Sequence, residues 1–322
     1  MGAYGRSQAR AYCKANMNGI WAAIPYPFSG SDVIDEAALR ADIRHYIDAL
    51  GVKGLFVGGM IGEFWCLTKE ERLLGQAIAC DEAGAIPVIA HTGHTSIKEA
   101  IQLSNAAEEA GATYAIVANP YLGAQGHPER VKAFFRELCQ STDIGVSLFN
   151  AAATGYSLSP QLVADLVAEN ETICCIKNAQ PKHHCDEVRA LVADEIVVSD
   201  PMESQWFFNH AYMNQQAFMS GPDPFLYQRP GHLGIQQYTD LIDAGNLEEA
   251  WVQNQVMAPI RRVAEKWIWG PWGRGAFPIP ALKTWMELMG MSGGPSRAPM
   301  VPLTGDERQA LRNDLYRAGL ID

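Results

Sequence analysis

The chain of 322 residues has no Cys-X-X-Cys pair, no cluster of Lys and Arg and no apolar run of 18 residues. The first absence removes zinc-ribbon and thioredoxin-type readings. The second, with 25 basic against 36 acidic residues and a formal charge of −11, removes a surface that could track phosphates, so no nucleic acid is expected as a partner. The third removes a transmembrane helix. The seven cysteines are odd in number and scattered through apolar stretches, as free thiols in a reducing compartment would be. The N-terminal stretch has no apolar signal-peptide core, and the expectation is a soluble, cytoplasmic protein.

What is present is a rhythm. Apolar runs rich in β-formers recur around Ile20, Leu55, Val88, Ile116, Val146, Cys174, Val197 and Phe218, with helical patterns between them. In "DEAALRADIRHYIDALG" the residues Leu39, Ile43, Tyr46, Ile47 and Leu50 fall at helical spacing, and Gly51 stops the pattern. "SIKEAIQLSNAAEEAGA" repeats this and ends at Gly111. Eight strands alternating with helices in under 225 residues predict an α/β fold, a (β/α)8 TIM barrel. An open doubly wound sheet is the alternative, but the turn after the first run carries no glycine-rich dinucleotide fingerprint. The expected division is an N-terminal arm over 1–19, the barrel over 20–232 and a C-terminal helical extension over 233–322.

Barrel enzymes work at the C-terminal ends of their strands. Residues expected there include Tyr26, the Gly59–Glu63 loop, His91, His94, Tyr121, Phe149, Asn150, Lys177, Asp200 and Ser220. Lys177 is the one lysine that closes a strand. It follows Ile173, Cys174, Cys175 and Ile176, a run without alternation that calls for cover on both faces. Desolvation there would favour a neutral, nucleophilic amine, whereas an ordinary solvated lysine needs no such setting.

Several ordered segments resemble the dihydrodipicolinate synthase/N-acetylneuraminate lyase family, the Schiff-base-forming pyruvate aldolases and dehydratases. They are "GGMIGE" (58–63), "LTKEER" (67–72), "NPY" (119–121), "FNAAATGYSLSP" (149–160), "IK" (176–177) and "IPALKTWMELMGMSGGPSRAPMVPLTGDE" (279–307). The resemblance implies a homotetrameric lyase with no cofactor or metal, whose lysine, here Lys177, forms an imine with a 2-oxo acid such as pyruvate. An aldehyde is the second partner. It also implies that backbone N–H groups near Ile61 and Gly62 hold the keto acid's carboxylate. Gly59, Met60, Tyr26, Tyr121, Asn150 and Ser220 complete the expected binding set.

The departures bear on substrate. Where the family has Tyr–Asn at the fifth strand's end, this chain has Phe149–Asn150, so the ring stays and the proton donor is lost. Met60 and Ile61 replace the loop's threonines, and the arginine that lysine-biosynthetic members carry is absent from Ala151–Thr154. A dicarboxylate therefore lacks a bidentate partner. Met60, Ile61, Phe64, Trp65, Leu122 and Phe149 favour an apolar or aromatic substrate group. The expected activity is a pyruvate-releasing aldolase or hydratase-aldolase. The alternatives are a 2-keto-acid dehydratase and a catalytically impaired, ligand-binding barrel. His91, His94, His183, His184 and Asp200 lack any metal-ligand spacing, and a metal-dependent aldolase is the weaker reading. Asp223, Tyr227 and Arg229 are second-rank candidates after the eighth strand, and "WIWGPWGRGAF" (267–277) reads as a lid or a contact surface.

Overall fold

The computed structural model describes residues 3–124 and 126–322. Each of the eight apolar runs is a strand: β1 (Gly19–Ala23), β2 (Gly54–Val57), β3 (Val88–His91), β4 (Tyr114–Ala118), β5 (Gly145–Ala151), β6 (Ile173–Ala179), β7 (Val197–Ser199) and β8 (Ala217–Met219). They form one sheet in the order β7-β6-β5-β4-β3-β2-β1-β8. The pairings are parallel, from Gly19 opposite Ala217 round to Lys177 opposite Ser199. The two end strands meet through the Met219 N–H, which donates to Ser199 Oγ at 2.9 Å. This is the nearly closed (β/α)8 barrel that the rhythm predicts.

Helices fill the intervals: α1 (Ala9–Asn16), α2 (Glu36–Arg44), α3 (Lys69–Ala83), α4 (Ile97–Glu109), α5 (Pro128–Gln140), α6 (Pro160–Glu169), α7 (Lys182–Val192) and α8 (Glu203–Tyr212). Local chemistry sets their ends. Asp35 caps α2 by accepting the Ala38 N–H, and Ser159 caps α6 by accepting that of Leu162, with proline at the first helical position. The stop glycines Gly51 and Gly111 take φ of 67° and 99°, which only glycine adopts without strain.

Contacts divide the chain into two compact units. The first is Met1–Trp21, Lys53–Val57 and Gly84–Met219, and it holds every residue of the eight barrel strands except Ala22 and Ala23. Its core packs Val117, Val146, Leu148, Ile176 and Val198 from the strands against Phe135, Leu162, Leu166 and Val188 from α5 to α7. Fully burying one such side chain is worth roughly 1.5–3 kcal/mol. The N-terminal arm is docked in this unit. Tyr4 donates to the Thr113 carbonyl at 2.6 Å and accepts the Gly145 N–H at 3.0 Å. Arg10 donates to the carbonyls of Ile173 and Asn170, both at 3.0 Å, and to that of Val167. It also pairs with Glu195 at 2.6 Å.

The second unit is Ala22–Val52, Gly58–Ala83 and Ser220–Asp322. Here α2 packs on α3. The expected C-terminal helices are Gly234–Asp243, Leu247–Val256, Ala258–Ala264, Ile279–Leu288 and Gly305–Arg317. Among the described residues no helix is long and apolar enough to cross a membrane.

One guanidinium thus satisfies three carbonyls at the end of α6 and the start of β6. Arg10→Ala leaves them without that donor, and hydrogen bonds to a charged group are worth about 1.5–3 kcal/mol. The expected outcome is a loss of about 2 kcal/mol in denaturant-induced unfolding, with the m-value unchanged.

Candidate active site

Lys177 sits near the C-terminal end of β6 and is 5% exposed. Its register partner on β5 is Phe149. The ammonium lies 4.7 Å from the ring centre of Phe56 and 5.8 Å from that of Phe149. Those two rings meet edge to face, 5.9 Å apart at 87°. Burial thus penalises the charge while two ring faces attract it, which opposes desolvation with cation–π attraction. Neither ring can donate or accept a proton. Sequence reasoning missed Phe56. The available signal was its position two residues before Gly58, at the mouth end of β2.

Asn150, next on β5, has both ends of its amide engaged within the fold. Its Nδ2 donates to Asn178 Oδ1 at 2.9 Å and to the Leu158 carbonyl at 3.2 Å, while Oδ1 accepts the Leu158 N–H at 2.8 Å. This closes the loop after β5. The loop after β4 joins it: Asn119 donates to the Tyr156 carbonyl at 2.9 Å. Tyr121 packs on Gly155, where an added Cβ would lie 2.7 Å from the tyrosine's own. Tyr121 is 43% exposed. Tyr156 is half-buried, and burial pushes its phenol up to about 12. His91 is buried at the end of β3. Among the described residues no three His, Cys, Asp or Glu side chains are grouped to hold a metal ion.

In the second unit the Gly58–Glu63 stretch is wholly buried. A tight turn shapes it, with the Glu63 N–H donating to Met60 O at 3.0 Å and the Phe64 N–H to Gly59 O at 3.3 Å. The N–H groups of Ile61 and Gly62 donate to no described residue. Gly62 lies so close to the backbone at Ile24 that a Cβ would stand 3.3 Å from its carbonyl. Tyr26 is fully buried beside Gly58 and against Gly75 of α3, and burial raises its phenol. Ser220 is buried at the end of β8, its hydroxyl 3.3 Å from the Gly221 carbonyl.

Glu63 has a left-handed φ of 55°. Its carboxylate pairs with Lys283 Nζ at 2.5 Å, the two side chains being 0% and 2% exposed. The other oxygen accepts the Arg297 N–H at 3.1 Å. Lys283 also donates to the Pro295 carbonyl at 2.9 Å and stands 4.3 Å from the Phe28 ring centre. The Arg297 guanidinium grips Glu71 with two bonds, of 2.6 and 2.8 Å, and reaches Asp32 at 2.8 Å. Sequence reasoning placed Glu63 in this loop and missed both cations, which sit within apolar or glycine-rich patterns. A row of half-buried rings continues from this loop. Phe64 meets Trp65 at 5.8 Å, Trp65 stacks on Phe277 at 5.1 Å, and Phe277 meets Trp272 at 5.6 Å.

Residues 16–208, more than half of the chain, match the model of the dihydrodipicolinate synthetase family. The chain belongs to this family. A relative over nearly the whole length is the 4-hydroxy-tetrahydrodipicolinate synthase of Methanothrix thermoacetophila, 27% identical across 93% of this chain and 96% of that protein. The N-acetylneuraminate lyase of Rhizobium meliloti is 28% identical across 92% and 93%. Among solved structures, a prophage protein of the family from E. coli, in complex with pyruvate, has a TM-score of 0.82 at 24% identity, covering 94% of this chain and 99% of that one. The protein is accordingly a lyase of the class I aldolase/dehydratase type.

The Arg297 guanidinium, by hydrogen-bonding Glu71, holds that carboxyl below its ordinary value of 4.5. A depressed acid contributes stability above its unfolded pKa and loses it as pH falls through the folded one. Between pH about 5 and about 3 the wild type should therefore lose thermal stability more steeply than Glu71→Gln. Melting curves of both proteins across that range check this.

Proposed function

We propose that this family member is a pyruvate-releasing aldolase or hydratase-aldolase acting on a 2-oxo acid with an apolar or aromatic substituent, with Lys177 as the imine-forming amine. The observation that carries the reading is a buried lysine at the mouth end of β6, flanked by the rings of Phe56 and Phe149. A neutral amine adds to the keto carbon and loses water, leaving a protonated imine that serves as an electron sink. Removing the proton from the C4 hydroxyl then lets the C3–C4 bond break. The electron pair moves to the imine nitrogen, and the products are an aldehyde and the enamine of pyruvate. Protonation at C3 and addition of water to the imine carbon release pyruvate and restore the amine.

For the substrate carboxylate the reading takes the donors that the family resemblance names, the Ile61 and Gly62 N–H groups. Their lack of a protein acceptor supports this choice. Met60, Ile61, Phe64 and Trp65 supply apolar or aromatic surface on the same stretch, which supports an apolar rather than a polyhydroxylated substrate. The proton from the C4 hydroxyl cannot go to either ring beside the amine, so it passes to water or to a tyrosine other than the one lost at position 149.

Incubation with pyruvate, borohydride reduction and mass measurement should give one pyruvyl adduct on Lys177, absent from Lys177→Ala. No adduct with any 2-oxo acid would sink the reading. In a turnover assay with the pyruvate–benzaldehyde aldol, Phe149→Tyr should raise kcat about a hundredfold, the worth of a positioned proton carrier. An unchanged kcat would mean that another group already carries the proton.

A further inference from the structure

We propose that Lys283 is a positioning residue for the keto-acid carboxylate site, acting through Glu63 on the backbone of the Ile61–Gly62 turn. The inference rests on the reading above in taking those N–H groups as the carboxylate's donors. Four observations in the second unit lead to it. The donors are buried and lack a protein acceptor, the condition in which a backbone N–H awaits a ligand. The next residue, Glu63, is held at φ 55°, a strained conformation for a side chain of that size. Its carboxylate is fully buried and is anchored on both oxygens, by Lys283 Nζ at 2.5 Å and by the Arg297 N–H at 3.1 Å. Both anchors belong to a distant part of the sequence that is itself wedged in place. A Cβ on Gly293 would lie 2.5 Å from the Lys283 carbonyl, and one on Gly294 would lie 2.9 Å from that of Phe28.

The strained residue directly follows the free donors, and its N–H closes the turn on Met60 O at 3.0 Å, so a shift of Glu63 is passed to the peptide planes that carry the Ile61 and Gly62 N–H groups. The left-handed torsions of Glu63 persist because the buried pair fixes the far end of the side chain. Releasing Lys283 lets Glu63 relax out of the left-handed region and turns the two N–H groups away from a common target. Carboxylate affinity should fall, while the reactivity of the amine toward a carbonyl without a carboxylate should not.

The test is the pyruvate concentration that gives half-maximal borohydride trapping on Lys177, compared with the same measurement using propanal. Lys283→Met should raise the pyruvate value at least tenfold with the same plateau and leave the propanal value within twofold. Glu63→Gln, which keeps the size of the side chain and an acceptor for Arg297, should do the same to a smaller degree and serves if Lys283→Met does not fold. Equal weakening for pyruvate and propanal, unchanged trapping, or failure of both variants to fold would overturn the proposal. In each case the pair would hold the fold and not the carboxylate site. A wild type that is trapped by propanal but not by pyruvate would instead overturn the proposed function.

Discussion

An ammonium and a carboxylate 2.5 Å apart, both out of water, organise the second unit. Neither belongs in an apolar interior alone, since removing one partner of a buried pair costs about 3–5 kcal/mol. Burial pulls the Lys283 pKa down, and Glu63 works against that pull. The pair is therefore a poor source of net stability and a strong source of specificity. It has one acceptable arrangement, and that arrangement draws together the Phe28 ring, the Glu63 turn and the Ser292–Arg297 segment. It also gives a physical reason for the sequence pattern. "GGPSRAP" lies more than 200 residues beyond the neighbouring "GGMIGE" and "LTKEER", yet the three contribute Arg297, Glu63 and Glu71 to one connected set of hydrogen bonds.

The barrel itself was legible because its signal is local. A buried parallel strand needs an unbroken apolar run and the helices between need a 3.6-residue period, and both can be read without knowing any partner. Caps and stop glycines are local for the same reason. The eight strands, α2 and α4 fall where those patterns put them. Lys177 was legible as well, because a charge closing an apolar run is visible in one dimension.

What escaped is what depends on distance along the chain. Phe56 reads as one more apolar residue of β2 until the sheet curves and brings it to Lys177. Lys283 sits in "IPALKTWMELMG", where one lysine among apolar residues looks like the polar stripe of an amphipathic helix. Only Glu63, 220 residues earlier, makes it an interior charge. Asn150 is expected in the binding set from the family's Tyr–Asn pair; that its amide is shared between Leu158 and Asn178 becomes visible only in the folded loop after β5.

The docking of the N-terminal arm also bears on the order of assembly. Tyr4, Arg10 and Lys14 find their acceptors far along the chain, at Thr113, Ile173 and Ala193. Gln216 then donates to the carbonyl of Lys14, and β1 finds its edge partner only in Ala217–Met219. Contacts of such long sequence separation pay their loop-closure entropy late. The complete set of arm contacts therefore requires both the Thr113–Ala193 acceptors and the Gln216–Met219 segment, and it closes together with the meeting of β1 and β8.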